Sequence, residues 1–255
     1  MIHPTAVVDP KAEIGQGCEI GPFSVIGPNV RIGNHCRIHS HVVIDGHTTL
    51  GEHNEIFPFA SIGLKTQDLK WKGGKTMTVI GDHNVIRESV TIHSATSEGE
   101  TTIVGSHNHI LAYCHVAHNC ELGNGIIMSN GTGLAGHVII EDYAVFGGMT
   151  GVHQFCRIGR LAMVGGCSRI NQDICPYTLV NGNPPATVGL NKVGLERRKI
   201  APETQTALKE AYRYLFRGNL PLEEARQKIE LLLPGNAELL HLTDFLKKSE
   251  RGICR

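Results

Sequence analysis

The chain has 255 residues, 41% of them hydrophobic, with 24 lysines and arginines against 24 aspartates and glutamates. Balanced charge of this kind points away from nucleic acid and from strongly acidic substrates. No apolar run approaches the roughly 20 residues of a membrane helix, so no membrane span is expected. MIHPTAVVD lacks the shape of a signal peptide, which makes a cytoplasmic location the expectation.

From the first residues the chain repeats every six positions. Ile2, Val8, Ile14, Ile20, Ile26, Ile32, Ile38, Ile44, Leu50, Ile56 and Ile62 fall in one register. The register resumes at Ile80, Ile86 and Ile92, then again from Val104 through Val116, Leu134 and Val152 to Ile170. Between 2 and 170 only Asp68, Gly74 and Glu98 break the apolar series. A helix has a period of 3.6 and a simple strand a period of 2, so neither gives this pattern. The residue after the aliphatic one is often Gly (Gly15, Gly33, Gly51, Gly105), expected here to supply positive φ at a corner. The fifth position is small: Ala6, Cys18, Ser24, Cys36, Cys114, Cys120, Ala144 and Cys156. Each hexad therefore reads as one short strand plus one corner. Three hexads close a triangular coil of about 18 residues, and coils stack about 4.8 Å apart through parallel ladders. Cysteine at the fifth position reads as a small hydrophobe in the packing, not as half of a disulfide.

The segment GLKTQDLKWKGGKTMT interrupts the register after Ile62. The step from 62 to 80 is 18 residues, which assigns one coil's worth of chain to an external loop near 64–79. A second break, HSATSEGETT, gives a loop near 94–103. Long loops on a rigid scaffold often carry function. The coils that follow carry HVAHNC, LAGHV and GGMTGVHQFC. Val116, Leu134 and Val152 lie 18 residues apart and stack on one face. His118, His137 and His153 follow them, and His115 precedes the same corner, so one edge of the triangle collects four of the fifteen histidines.

After Ile170 the repeat decays, and from about Asn191 the pattern turns helical. Pro202 suits a first helical turn, and Leu208, Ala211, Tyr212 and Leu215 keep a helical stripe. Leu222, Ala225, Ile229 and Leu232 form a second stripe, and Leu239, Leu242 and Phe245 a third. The organisation expected is a β-helix over 1–186 and an α-helical domain over 187–255.

The hexads resemble the left-handed parallel β-helix of the hexapeptide-repeat acyltransferases. The motifs QDLK (67–70), IRESVTIH (86–93), HVAHNC (115–120), LAGHV (134–138), GGMTGVHQFC (147–156), MVGGCS (163–168) and GLNKVGLERR (189–198), together with the helical tail, resemble the UDP-N-acetylglucosamine O-acyltransferases of lipid A biosynthesis. The resemblance covers essentially the whole chain. It implies transfer of an R-3-hydroxyacyl chain from acyl carrier protein to the glucosamine 3-hydroxyl of UDP-N-acetylglucosamine. It also implies a homotrimer with sites between subunits, and no cofactor or metal.

Matched residue by residue, the resemblance makes His118 the general base and the Gly136 N–H the oxyanion donor. Asp68, Lys70, His115, His137 and His153 become sugar and acyl contacts, and Gln154, Asn191, Arg197 and Arg198 nucleotide contacts. Met163 and Gly166 set the end of the acyl groove, where a glycine leaves room for chains nearer fourteen carbons than ten. Two positions depart from the family pattern. Asn119 stands where an Asp often follows the base, and Val193 stands where Glu can contact the ribose. A zinc enzyme similar to the γ-class carbonic anhydrases is the rival reading of the histidine edge. A non-enzymatic structural or ice-binding β-helix is a third, against which the one-edge histidine cluster argues.

Overall fold

The computed structural model describes all 255 residues. The hexads form a left-handed parallel β-helix with three faces, each a ladder of strands mostly two residues long. Face 1 holds nine strands, including Ser61–Leu64, Thr91–His93, His115–Val116, Gly133–Leu134 and Gly151–Val152. Face 2 holds eight, including His47–Leu50, Met77–Ile80, Thr101–Val104 and Glu121–Leu122. Face 3 holds ten. In regular coils a residue pairs with the one 18 positions on, as Val25 with Val43 and His115 with Gly133. The hexad aliphatics point inward and, together with fifth-position residues such as Cys36, Ala60 and Cys120, form a single column of 39 buried residues. Removing one of these buried side chains to Ala costs about 2–5 kcal/mol by loss of transfer energy plus the cavity left behind.

The corners differ from expectation in one respect. The glycines after the aliphatic residue do not have positive φ, with Gly63 the exception. Positive φ falls two residues later, at the fourth position of the hexad, and is held mostly by non-glycine residues: Phe23, His35, His53, Tyr113, Asn119, His137 and Phe155, all between 54° and 66°. The second-position glycines answer a different need, the close approach of stacked corners. A Cβ on Gly33 would lie 2.7 Å from the carbonyl carbon of Gly51, and one on Gly105 would lie 2.4 Å from the oxygen of Gly123.

The fifth position proves to be a hydrogen-bond donor as well as small. Cys18, Cys36, Cys114 and Cys120 aim their thiols at carbonyls 15 residues on, at 3.0–3.2 Å. Ser24 donates its hydroxyl to the His39 carbonyl at 2.7 Å, and Asn54 its amide to the Gly81 carbonyl, beyond the first loop, at 2.8 Å. Burial pushes the Cys36, Cys114 and Cys156 thiols up to about 11 and Cys120 up to about 12, so all four stay protonated at neutral pH.

The two loops also sit differently from the expected register. Ile80 does not stack on Ile62. Ile62 pairs with Ile44 and Ile92 on face 1, and Ile80 with Leu50 and Val104 on face 2. No coil is lost: the first loop is inserted into the corner between faces 1 and 2. The second loop, between His93 and Thr101, enters the same corner one coil further on. Both therefore fold over the edge that carries His118.

At the far end the strand Ala186–Leu190 pairs antiparallel with Thr178–Asn181, so the sheet runs to Leu190. Four helices follow: α1 (Lys192–Arg197), α2 (Pro202–Phe216), α3 (Leu222–Glu230) and α4 (Ala237–Lys247). Pro202 opens α2, and Asn236 caps α4 by accepting from the N–H groups of Glu238 and Leu239. The three stripes pack together with Tyr177 and Leu161 in a second core of 15 buried residues. The last residues then turn back onto the β-helix. Ile253 bridges Asp173 in parallel, and Cys254 joins the aliphatic column. No helix is long and apolar enough to cross a membrane.

Candidate active site

The edge between faces 1 and 2 holds a cleft of about 510 Å³ lined by residues of the first loop and of four successive coils. His93 (second position) and His115 (sixth) flank the strand side, and His118 (third) and His137 (fourth) stand on the corner. The hexad position thus decides how far each ring projects. His118 and His137 meet edge to face at 5.2 Å, His93 and His115 at 4.9 Å, and His137 stacks on Phe155 at 4.8 Å.

Asp68 and Lys70 enter from the first loop. The backbone N–H of Lys70 donates to Asp68 Oδ1 at 3.0 Å, and Thr96, from the second loop, donates to Oδ2 at 3.3 Å. The Lys70 amide, with help from the nearby His118 ring, holds the Asp68 carboxyl below the usual carboxylate range. Its Oδ2 lies 3.7 Å from His118 Nε2.

On the other side of the ring, His118 Nδ1 lies 3.0 Å from Asn119 Oδ1. The departure at Asn119 therefore still leaves an acceptor against the ring. An N–H on Nδ1 leaves Nε2, which faces the cleft, with a free lone pair. Gly136 packs directly against the imidazole: a Cβ there would lie 2.3 Å from Cε1 and 2.4 Å from Nε2. Its own N–H donates to no other group of the chain.

Burial, reinforced by the His93 and His118 rings, pushes the His115 imidazole down to about 4. Burial also lowers His93 and His137 from the ordinary histidine value. The Thr91 hydroxyl holds His115 Nδ1 at 2.7 Å. His93, His115 and His137 thus line the cleft as neutral imidazoles at pH 7, and the first loop adds one carboxylate, Asp68, and one lysine, Lys70. No three His, Cys, Asp or Glu side chains are placed to hold one metal ion.

The structure brings His118, Gly136, Asp68, Lys70, His115, His137 and Gln154 into this cleft. His153 lies on the same edge but outside the cleft, exposed, with Nδ1 near the Gln154 carbonyl. Asn191, Arg197 and Arg198 stand apart from it within one chain. Asn191 caps α1 by accepting from Gly194 N–H and donates to the Leu161 carbonyl. Arg198 stacks 3.5 Å from the ring centroid of Tyr143, which sits on the edge between faces 2 and 3. Arg197 is exposed in the last turn of α1. Met163 lies on face 3, and Gly166 is exposed on the edge between faces 3 and 1. The expected site residues therefore occupy all three edges of the prism.

Sequence reasoning missed His93, Gln67 and Phe155 as cleft residues. His93 directly follows an inward aliphatic, Ile92, at the position that Ala117 and Ala135 take in the next coils. That phase was readable once the second loop was seen as a corner insertion.

The family model described as UDP-N-acetylglucosamine O-acyltransferase, domain 2, matches residues 173–254, and one described as the GMPPB C-terminal domain matches residues 2–97. A Burkholderia orbicola acyl-(acyl-carrier-protein)–UDP-N-acetylglucosamine O-acyltransferase is 51% identical over 260 residues, covering 100% of this chain and 99% of that protein. The solved UDP-N-acetylglucosamine O-acyltransferase of Moraxella catarrhalis superposes with a TM-score of 0.97 at 42% identity, covering 100% of this chain and 99% of that one. The Arabidopsis UDP-N-acetylglucosamine acyltransferase superposes with a TM-score of 0.85 at 34% identity, over 100% of both chains. These relatives are acyltransferases, which does not favour the zinc reading of the histidine edge. Full-length identity at this level, on the same β-helix and helical tail, shows that the chain belongs to the UDP-N-acetylglucosamine O-acyltransferase family.

Proposed function

We propose that the cleft transfers an R-3-hydroxyacyl group from the thioester of acyl carrier protein to the glucosamine 3-hydroxyl of UDP-N-acetylglucosamine. A sugar hydroxyl is a poor nucleophile near neutral pH, so its attack needs a base positioned to take the proton. His118 fills that role. Its Nε2 faces the cleft, its Nδ1 is engaged by Asn119, and the surrounding rings are neutral. This arrangement is the observation that carries the reading.

The hydroxyl oxygen attacks the thioester carbon and its proton passes to His118 Nε2. The carbonyl oxygen becomes an oxyanion and accepts from the unengaged Gly136 N–H. Collapse breaks the C–S bond, and His118 returns the proton to the departing thiolate. Asp68 and Lys70 reach the sugar from the loop, and His115 and His137 border it.

The placement of the remaining residues supports a homotrimer. Asn191, Arg197 and Arg198 can join a cleft on the first edge only if a second copy presents its own face 2–3 edge. Gly166 contributes only through a third edge, along which Phe23, Phe59, Tyr113 and Met149 are 57–71% exposed and offer an apolar strip to a neighbour. Glycine at 166 leaves that edge open to a long acyl chain.

His118→Ala tests the assignment. Transfer from 3-hydroxyacyl thioesters should fall by about 10²–10⁴-fold, with the unfolding midpoint unchanged. Near-wild-type turnover in a folded His118→Ala protein rejects His118 as the base.

A further inference from the structure

The orientation of His118 depends on an amide, and an amide can face either way. Asn119 presents Oδ1 to His118 Nδ1 at 3.0 Å. Flipped, it would present its NH₂ instead. The ring would then turn Nδ1 into an acceptor, carry its proton on Nε2 and lose the lone pair that faces the cleft. An Asp at this position, which the family often carries, has no such ambiguity, since an ionised carboxylate only accepts. Something in this chain must therefore fix the amide.

Two neighbours do so. The backbone N–H of Thr96 donates to Asn119 Oδ1 at 3.1 Å. Glu100 Oε2 lies 2.7 Å from Asn119 Nδ2. An ionised carboxylate can only accept, so the side of the amide that faces it must be the NH₂ side. Glu100 also accepts from the Ser97 N–H at 3.1 Å, which ties the carboxylate to its own loop. The Asn119 donation holds its carboxyl below the ordinary range, so it is anionic wherever the enzyme is folded near neutrality. Asn119 itself sits at the positive-φ corner, φ 59°, with its N–H held by Thr102 Oγ1 at 2.8 Å. The residue is anchored through its backbone, and only the amide is left to be oriented.

We propose that Glu100 is a positioning residue that replaces, at one remove, the anion missing at position 119. The second loop carries Glu100 over the site edge, Glu100 orients the Asn119 amide, and the amide fixes the Nδ1–H tautomer of His118. The inference rests on His118 being the base, but its first readout does not. Glu100 never reaches the cleft, so substrate affinities should be indifferent to it.

The test uses the full chain in three variants: Glu100→Ala, Asn119→Asp and the double variant. The ¹⁵N shifts of His118 at pH 7.5 report the tautomer directly. A single Nδ1–H form is expected in the wild type and a mixture in Glu100→Ala. Turnover of Glu100→Ala should fall about tenfold, as for loss of one charge-assisted hydrogen bond, with KM for both substrates within twofold. The double variant should recover to within threefold of wild type, because aspartate at 119 cannot be misoriented. Asn119→Asp alone should do worse than the double, since it sets two carboxylates face to face. Unchanged tautomer and turnover in Glu100→Ala overturn the proposal, and so does a loss that the double variant fails to recover, which would mean that Glu100 only orders its loop. Full activity in His118→Ala would instead reject the base assignment, while the tautomer measurement still decides the role of Glu100.

Discussion

Two edges of the same prism carry histidines in the same repeat, and they behave as different materials. Between faces 2 and 3, His35, His53, His83 and His107 all occupy the fourth hexad position. They stack in one exposed column, with ring centroids 4.7–5.0 Å apart and the planes of the last three within 4° of parallel. Between faces 1 and 2, the histidines occupy the second, third, fourth and sixth positions. They project to different depths, meet edge on, and surround a cleft. Repetition at one position gives a ladder of equivalent groups, and staggering across positions gives a site. The loops add the second difference. Both insertions enter the first edge, bring in Asp68 and Lys70, and bury part of what they cover.

The contrast can be broken most severely at its glycines. Gly136→Ala places a methyl 2.3–2.4 Å from the end of the His118 ring, a side chain free to swing aside. Turnover should fall about 10²-fold, as for a misplacement of about 1 Å, while stability changes little. On the other edge, Gly105→Ala drives a methyl to 2.4 Å from the Gly123 carbonyl oxygen, which is backbone and cannot swing. That variant should lose about 1–3 kcal/mol of stability and keep the turnover of whatever fraction is folded. Chemical denaturation and an acyl-transfer assay on both proteins separate the two. The idea fails if both lose the same property.

A pH series sharpens the comparison. His115 titrates near pH 4 in the folded chain and near 6.5 when unfolded. Its folded pKa is depressed, so the unfolded chain takes up the proton first. The stability it contributes is present above about pH 6.5 and is lost as pH falls toward 4, by roughly 2–3 kcal/mol. His115→Asn should flatten the acid limb of the stability curve between pH 6.5 and 4, measured from urea midpoints. An unchanged limb removes His115 as its source.

The smallest effect is expected on the ladder. His83→Ala leaves the stacked column one ring short at an exposed position, and transfer should stay within twofold of wild type. A loss comparable to that of a cleft histidine would end the distinction between the edges.

The scaffold was legible because its rule is local. Ile44, Ile62 and Val116 announce an inward position whatever lies elsewhere in the chain. The reason for Gly33 and Gly105 was not legible, because their close neighbours lie one coil away and only stacking reveals the contact. The register across the first loop misled for a related reason. A step of 18 residues from Ile62 to Ile80 equals one coil by count, yet the chain uses it to turn one corner. His118, Gly136, Asp68 and Lys70 came from motifs and arrive together in the cleft. Asn191 and Arg198 came from the same kind of match but stand on another edge, because a motif match does not state on which edge the fold places a residue. Glu100 had no motif. Its role depends on an amide whose direction is set only by neighbours in space.

The tail at Ile253 and Cys254 bears on how such a prism ends. A stack of parallel coils presents, at its last turn, a rim of unpaired N–H and C=O groups and a bare aliphatic core, which is a template for another stack. Here the Cys254 N–H donates to the Asp173 carbonyl at 2.8 Å, its own carbonyl accepts from Thr187 Oγ1 at 2.6 Å, and its side chain fills the column. Ile253 and Cys254 thereby pair with the last turn and cover the aliphatic core that it would otherwise leave bare.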